Sequence, residues 1–471
     1  MGSEWSYSTI ADCASEEPFS TQIGPFGNKI KAEIYTPKGA PVLRGTNVNT
    51  NSRFNDADFV FIDQDYADSE FEKFTCKAGD VVLCHKGTLG KIGIIPKNSR
   101  FETYIMGNSM MKVRTDEKKL NSSFLYYWLC SFEGQDYLFS RVSQVGVPQI
   151  QRPLSTLREA EIPLPPLPEQ KAIAHILGTL DDKIELNRRM NATLEGMAQA
   201  LFKSWFVDFD PVIDNALATG NAIPDELAPR AEARKKALAS DTTQQGSVDH
   251  PTLSDPKSLF PAAFEFTEEL GWMPKGWELS TIGDECETVG GGTPSTKNPD
   301  FWDGGEYPWV TPKDFSSLQD KVLLSSSRFL TKEGLNKVSS GLLPIGTVLM
   351  SSRAPVGYLA ITQIETAINQ GFIAMICNGR LSPEYILQWA NSRMDDIKQT
   401  SSGSTFAEIS KKAFRPFRVI VPTDNALESY TNLVGSIYHR IASNLAESAT
   451  LTSSRDALLP QLISGELRVD A

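Results

Sequence analysis

Histidine is scarce in these 471 residues, with only His85, His175, His250 and His439, and none stands near another. The six cysteines (Cys13, Cys76, Cys84, Cys130, Cys286 and Cys377) are scattered, with no C-x-x-C pair. Zinc modules repeat their ligands at short spacings, so no structural zinc module is expected, and reduced thiols in a cytoplasmic chain are expected. No apolar run approaches the roughly eighteen residues of a membrane span, so no membrane association is expected. The opening MGSEWSYSTI lacks the basic flank and apolar stretch of a secretory signal. Its fit to the short myristoylation pattern is read as chance.

Catalytic signatures are missing too. There is no G-x-x-x-x-G-K-[ST] phosphate loop, and no strand followed by G-x-G-x-x-G to cradle a nucleotide or S-adenosylmethionine. Gly290-Gly291-Gly292-Thr293-Pro294 leads into proline and loop signals, not a helix, and reads as a surface loop. Asn298-Pro299-Asp300-Phe301 approximates an amino-methyltransferase motif but lacks its second proline and any cofactor-binding half upstream, and reads as a turn. No spacing singles out a carboxylate pair, although a nuclease site assembled from distant residues leaves no local trace.

The net charge of −12 looks wrong for a nucleic-acid binder until it is located. Residues 1–160 carry 18 Lys and Arg against 19 Asp and Glu, and residues 277–420 carry 14 against 15. The acidity therefore falls almost wholly in 161–276 and 421–471. The other two segments are near neutral and leave room for a basic face.

What is present is a repeat. Gly79-Asp80-Val81-Val82-Leu83 and Gly90 recur 267 residues later as Gly346-Thr347-Val348-Leu349-Met350 and Gly357. Trp5 and Ser8-Thr9-Ile10 recur 272 residues later at Trp277 and Ser280-Thr281-Ile282, and Leu125–Trp128 is echoed by Ile386–Trp389. Each copy is followed by heptads. Ile173, Leu180, Asn187, Leu194 and Leu201 stand seven apart, with Leu177 and Ile184 between. Tyr430, Ile437, Asn444, Leu451 and Leu458 match them at an offset of 257, with Val434 and Ile441 between. Such heptads predict long helices that pair, each of about 40 residues and about 60 Å. Asn187 and Asn444 share a seam position. They are either tolerated polar residues or a hydrogen-bonded pair that fixes register.

The prolines of Leu164-Pro165-Pro166-Leu167-Pro168 precede the first helix, with Glu169 in its first turn, and Asp424 is a plausible N-cap for the second. The Ala-, Pro-, Asp-, Ser- and Thr-rich stretch 211–260 reads as a helical fragment plus flexible linker. The expected division is 1–160, helix 161–210, linker 211–272, 273–420, and helix 421–471.

Between the apolar runs lie loops of side chains suited to reading base edges or phosphates. The first copy offers Arg44, Thr46, Asn47, Lys86, Thr88 and Gln149. The second offers Thr293, Ser295, Lys297, Thr311, Lys313, Ser352, Arg353, Asn369, Gln370, Ser404 and Thr405. The framework recurs while these residues differ, which favours recognition of two unlike targets.

Gly291-Gly292-Thr293-Pro294-Ser295, Asn298-Pro299, Trp302, Gly304-Gly305, Tyr307-Pro308-Trp309-Val310, Gly346–Leu349, Asn369–Phe372, Gly403-Ser404-Thr405, Met273–Glu278 and the Leu164–Gln170 run resemble the specificity subunit of type I restriction–modification systems. The resemblance spans nearly the whole chain. Phe406 stands where glutamine is expected, whereas Gln149 does follow Gly146-Val147-Pro148, and the second helix lacks the proline–Glu–Gln start. The resemblance implies an α+β fold: two pseudo-repeated mixed α/β target-recognition domains separated by two long antiparallel helices forming a coiled-coil spacer. It implies a non-catalytic subunit that reads a bipartite, asymmetric site in double-stranded DNA. Two methyltransferase subunits would bring S-adenosylmethionine to modify adenines, and two nuclease–translocase subunits would bring ATP and magnesium. The alternatives are a single-chain methyltransferase or nuclease, and a coiled-coil scaffold with no DNA role.

Overall fold

The computed structural model describes residues 5–27, 29–48, 53–143, 146–241, 256–353, 355–402 and 407–469. The chain divides into two compact units, Met1–Leu186 with Glu447–Ala471, and Asn187–Ala446. No helix among the described residues is long and apolar enough to cross a membrane.

In the first unit the repeated Gly-Asp-Val-Val-Leu motif becomes the strand Val81–Cys84, buried at all four positions. Alternate side chains of a strand point to opposite faces. Val81 and Leu83 accordingly enter one apolar core with Ile173 and Leu177, and Val82 and Cys84 enter another with Leu43 and Tyr104. The strand sits inside a four-stranded antiparallel sheet, Thr21–Ile23, Met110–Val113, Val81–Cys84 and Ile92–Ile94. A five-stranded mixed sheet stands beside it, with Ala40–Leu43 parallel to Thr103–Met106.

The second unit repeats the device. Val348–Ser351 sends Val348 and Met350 into one core and Leu349 into another. It occupies the middle of a five-stranded sheet between Phe372–Ile376 and Leu359–Thr362. The repeat extends to single atoms. Arg158 donates from Nε to Thr21 Oγ1 (2.7 Å), and Arg415 does the same to Thr288 Oγ1 (2.6 Å). Thr9 with Asp12 and Thr281 with Asp284 form the same 2.6 Å hydrogen bond.

Two long helices run Leu167–Phe202 and Asp424–Ser464, the first passing into a π-helical turn at Lys203–Val207. In the first unit Asp181 meets Arg455 (2.8 Å) and Lys183 meets Glu447 (3.2 Å). In the second unit Asn187 meets Asn444 and Glu195 meets Tyr438. In both units partner numbers fall along one helix as they rise along the other, so the pairing is antiparallel. The seam asparagines are a hydrogen-bonded set: Asn187 Nδ2 donates to the Asn444 carbonyl (3.3 Å), and Asn444 Nδ2 donates to Asn191 Oδ1 (2.8 Å). All three are buried. Leu177, Val434 and Ile441 are buried, while Leu180, Ile184, Leu194, Ile437 and Leu451 are half-buried. The apolar stripes are shared between the opposite helix and the sheets of each unit, since Leu177 and Ile441 belong to the main cores.

Three boundaries differ from the sequence expectation. Glu161–Leu164 is a strand paired with Ser6–Thr9, and Arg418–Val421 is a strand paired with Glu278–Thr281, so the helices start after 160 and 420 by a few residues. The C-terminal end belongs to the first unit, where Leu462 and Ile463 are core residues. The stretch 211–272 holds more structure than its composition suggests. Asp210–Thr219 and Ala228–Asp241 form two helices tied by Arg230 on Asp210 (2.7 Å), and Phe264–Thr267 pairs with Gly271–Pro274.

The two units anchor their repeated tryptophans differently. Trp5 donates from Nε1 to the buried Glu169 (3.2 Å), which also takes Arg468 at 2.6 and 3.0 Å. The position 257 residues beyond Glu169 is Ala426, and Trp277 is packed instead against Phe206, Phe209 and Phe260.

Glu195 in the second unit gathers Lys321 (3.0 Å), Gln199, Gln388 and Tyr438. Burial pushes its carboxyl upward, but the Lys321 ammonium and these hydrogen bonds prevail and hold it below its ordinary value. A depressed carboxyl stabilises the fold above the unfolded value and loses that contribution as pH falls through the folded one. Glu195→Gln is expected to lower stability at neutral pH by about 1–3 kcal/mol and to flatten the acid side of the stability profile. Thermal melts of both proteins between neutral pH and the acid limit of folding test this, and parallel profiles would contradict it.

Candidate nucleic-acid interface

In the first unit three loops meet at one end of the sheets. Gly107 N donates to Leu43 O (3.0 Å), joining the loop after Ala40–Leu43 to the turn before Met110–Val113. A Cβ on Gly45 would stand 2.7 Å from Thr88 Oγ1, so glycine is what lets the 44–48 and 85–90 loops touch. His85 N donates to Ser109 O (2.9 Å), Ile150 N donates to His85 O (2.9 Å), and Lys86 bridges Gln149 across antiparallel backbone. Thr46, Thr88, Lys86 and Gln149 are exposed around this junction. His85 is buried beneath it, and that burial holds its imidazole below the usual histidine value.

The second unit builds the same frame. Asn369 N donates to Val310 O (3.0 Å), Ser352 N to Gly371 O (2.8 Å), and Ile409 N to Ser352 O (3.0 Å), while Arg353 bridges Glu408. Thr293 hydrogen-bonds Gln370, and Gly292 N donates to Ile368 O (3.0 Å), which brings the glycine-rich loop onto the frame. Thr293 and Gln370 are exposed, and Asn369 and Arg353 are half-buried.

Some expected readers are not available. Asn47 is fully buried: its Oδ1 accepts from Arg44 N (2.9 Å) and its Nδ2 donates to Asn55 O and Ala57 O, so it shapes the loop and cannot meet a base. Ser352 is likewise buried, as a backbone relay. Thr311 spends its hydroxyl on Asp314 (2.8 Å) as a helix N-cap. Arg44, half-buried, donates to Asp58 O (2.7 Å). Ser295, Lys297 and Lys313 are exposed, and among the described residues no side-chain hydrogen bond or ion pair joins them to the frame. Ser404 and Thr405 lie outside the described residues, as does Phe406. Among the described residues none of Lys86, Lys297, Lys313 and Arg353 forms an ion pair, so four cations are available to an anionic partner. No three His, Cys, Asp or Glu side chains stand together as metal ligands among the described residues.

Sequence reading missed Glu408. Gln149 faces Lys86 and Glu408 faces Arg353, so Glu408, two residues past Phe406, holds the place of Gln149. The repeat offset, shrinking from 267 to 257 along the chain, was the available signal.

The pattern described as "Type I restriction modification DNA specificity domain" matches residues 24–196 and 274–429. The chain belongs to this family. It is similar to the HindI type I restriction enzyme specificity subunit of Haemophilus influenzae, 29% identical over 408 residues, covering 81% of this chain and 87% of that one. A shorter stretch of 162 residues is 35% identical to the MjaIX specificity subunit of Methanocaldococcus jannaschii, covering 34% of this chain and 37% of the relative. Among solved structures, the type I restriction–modification S subunit of M. genitalium shares the fold with a TM-score of 0.52 at 16% identity, over 98% of this chain and 96% of that one.

Gly291 lies against the frame so closely that a Cβ would fall 1.8 Å from Ile368 O. Gly291→Ala must move backbone, and is expected to cost about 1–3 kcal/mol or more. Hydrogen exchange at Gly292 and Asn369 should accelerate; unchanged protection there would show that the glycine loop is not held on the frame.

Proposed function

We propose that this chain is the DNA-reading, non-catalytic subunit of a type I restriction–modification enzyme, and that each unit reads one half of a bipartite, asymmetric sequence. The observation that carries this reading is one backbone frame presented twice with different side chains: Lys86 and Gln149 in one unit, Arg353 and Glu408 in the other. A conserved frame with exchanged donors and acceptors is what two unlike base sequences require, since each base pair offers its own donor and acceptor pattern in the major groove. Each correct pair adds about 1–3 kcal/mol of discrimination. The long helices and their acidic flanks dock two methyltransferase subunits, and nuclease–translocase subunits join that assembly. S-adenosylmethionine, ATP and magnesium belong to those partners, and the complex works in the cytoplasm.

Recovery of the tagged chain from its own cell should bring down a methyltransferase. The deletion strain should lose one split methylated motif. No methyltransferase and an unchanged methylome would leave the scaffold alternative standing. Lys313→Ala should weaken DNA binding by the recovered complex and reduce the slope of log affinity against log salt by about one, since Lys313 stands exposed and without an ion pair.

A further inference from the structure

Arg353 and Glu408 face each other across an isolated antiparallel bridge in the second unit. Directly opposed residues of an antiparallel pair carry their side chains on the same face, about 5 Å apart at Cβ. Glu408 is exposed and Arg353 half-buried, yet the two form no ion pair with each other or with any described residue. The bridge is held from beneath, because Ser352 N donates to Gly371 O and Ile409 N to Ser352 O. Both backbones are fixed while both charged ends remain unengaged.

A carboxylate at a surface that meets DNA is repelled by phosphate, and an amine on a base edge is what would repay its presence. Cytosine N4 offers such an amine in the major groove, and guanine O6 and N7 offer the paired acceptors that an arginine fork fits. We propose, resting on the DNA-reading function above, that Arg353 and Glu408 together read guanine and cytosine at one G·C position of the half-site assigned to the second unit. The pair carries no net charge, so it contributes little to phosphate attraction and acts on specificity. The corresponding place in the first unit holds Lys86 and Gln149, and a glutamine amide suits the N6 and N7 of adenine. The two half-sites therefore differ in base composition at this place.

The test uses the complex of the full chain with its methyltransferase, purified from its own cell, and duplexes in which each position of the methylated motif is exchanged in turn. The unaltered complex should disfavour exchange of one G·C pair by roughly 5- to 150-fold. In Arg353→Ala, and separately in Glu408→Gln, that penalty should fall towards none at that position, and every penalty in the other half-site should stay. The double variant R353A/E408A should keep the original salt slope. Penalties unchanged at all positions in both single variants would overturn the assignment while leaving the DNA-reading function intact. Equal loss across both half-sites would give the pair a structural role and also overturn it. Absence of sequence preference in the unaltered complex would overturn the function itself.

Discussion

Each unit depends on a strand that is apolar on both faces. Val81–Cys84 and Val348–Ser351 each divide two cores, so neither strand has a solvent side and neither can slip by one residue without sending its side chains into the wrong core. That fixed register places the residue after the strand, His85 or Ser352, beneath the loop junction. From there the opposed pairs at Lys86 and Arg353 are set by backbone hydrogen bonds and not by their own side chains. The side chains at the junction are thereby free to vary while the frame persists.

The copies are not identical beneath the frame. The first unit secures Trp5 with a buried carboxylate that is itself neutralised by Arg468. The second replaces that polar anchor with an aromatic cluster around Trp277, drawn from the end of the first long helix and the segment after it. One solution depends on complete hydrogen bonding of a buried charge and the other on shape and area. The helix Asp210–Thr219 follows Phe209 directly, and its Asn215 Nδ2 donates to Phe260 O (2.9 Å).

Much of this was legible from periodicity. Heptads at an offset of 257 identified both long helices, and the glycine-led apolar runs identified both central strands. The antiparallel pairing came from the family resemblance, but the seam hydrogen bonds of Asn187, Asn191 and Asn444 needed coordinates, since a heptad specifies a face and not its partner. Side-chain type was a weaker guide at the loops. Asn47 and Ser352 have the chemistry of base readers, but local backbone groups claim them first, a competition that composition cannot reveal. Glu408 was not among the expected readers, and only its backbone partner placed it.

The membership of the C-terminal residues bears on synthesis. The first unit takes Leu462 and Ile463 into its core and Arg468 into its tryptophan anchor, whereas the second is one unbroken stretch, Asn187–Ala446. A ribosome delivers the sheets of the first unit early, but they must wait for Leu462 and Ile463 before their core can close. The second unit can thus finish folding before the first, and a nascent chain cut after Ala446 retains a complete second unit and an unfinished first.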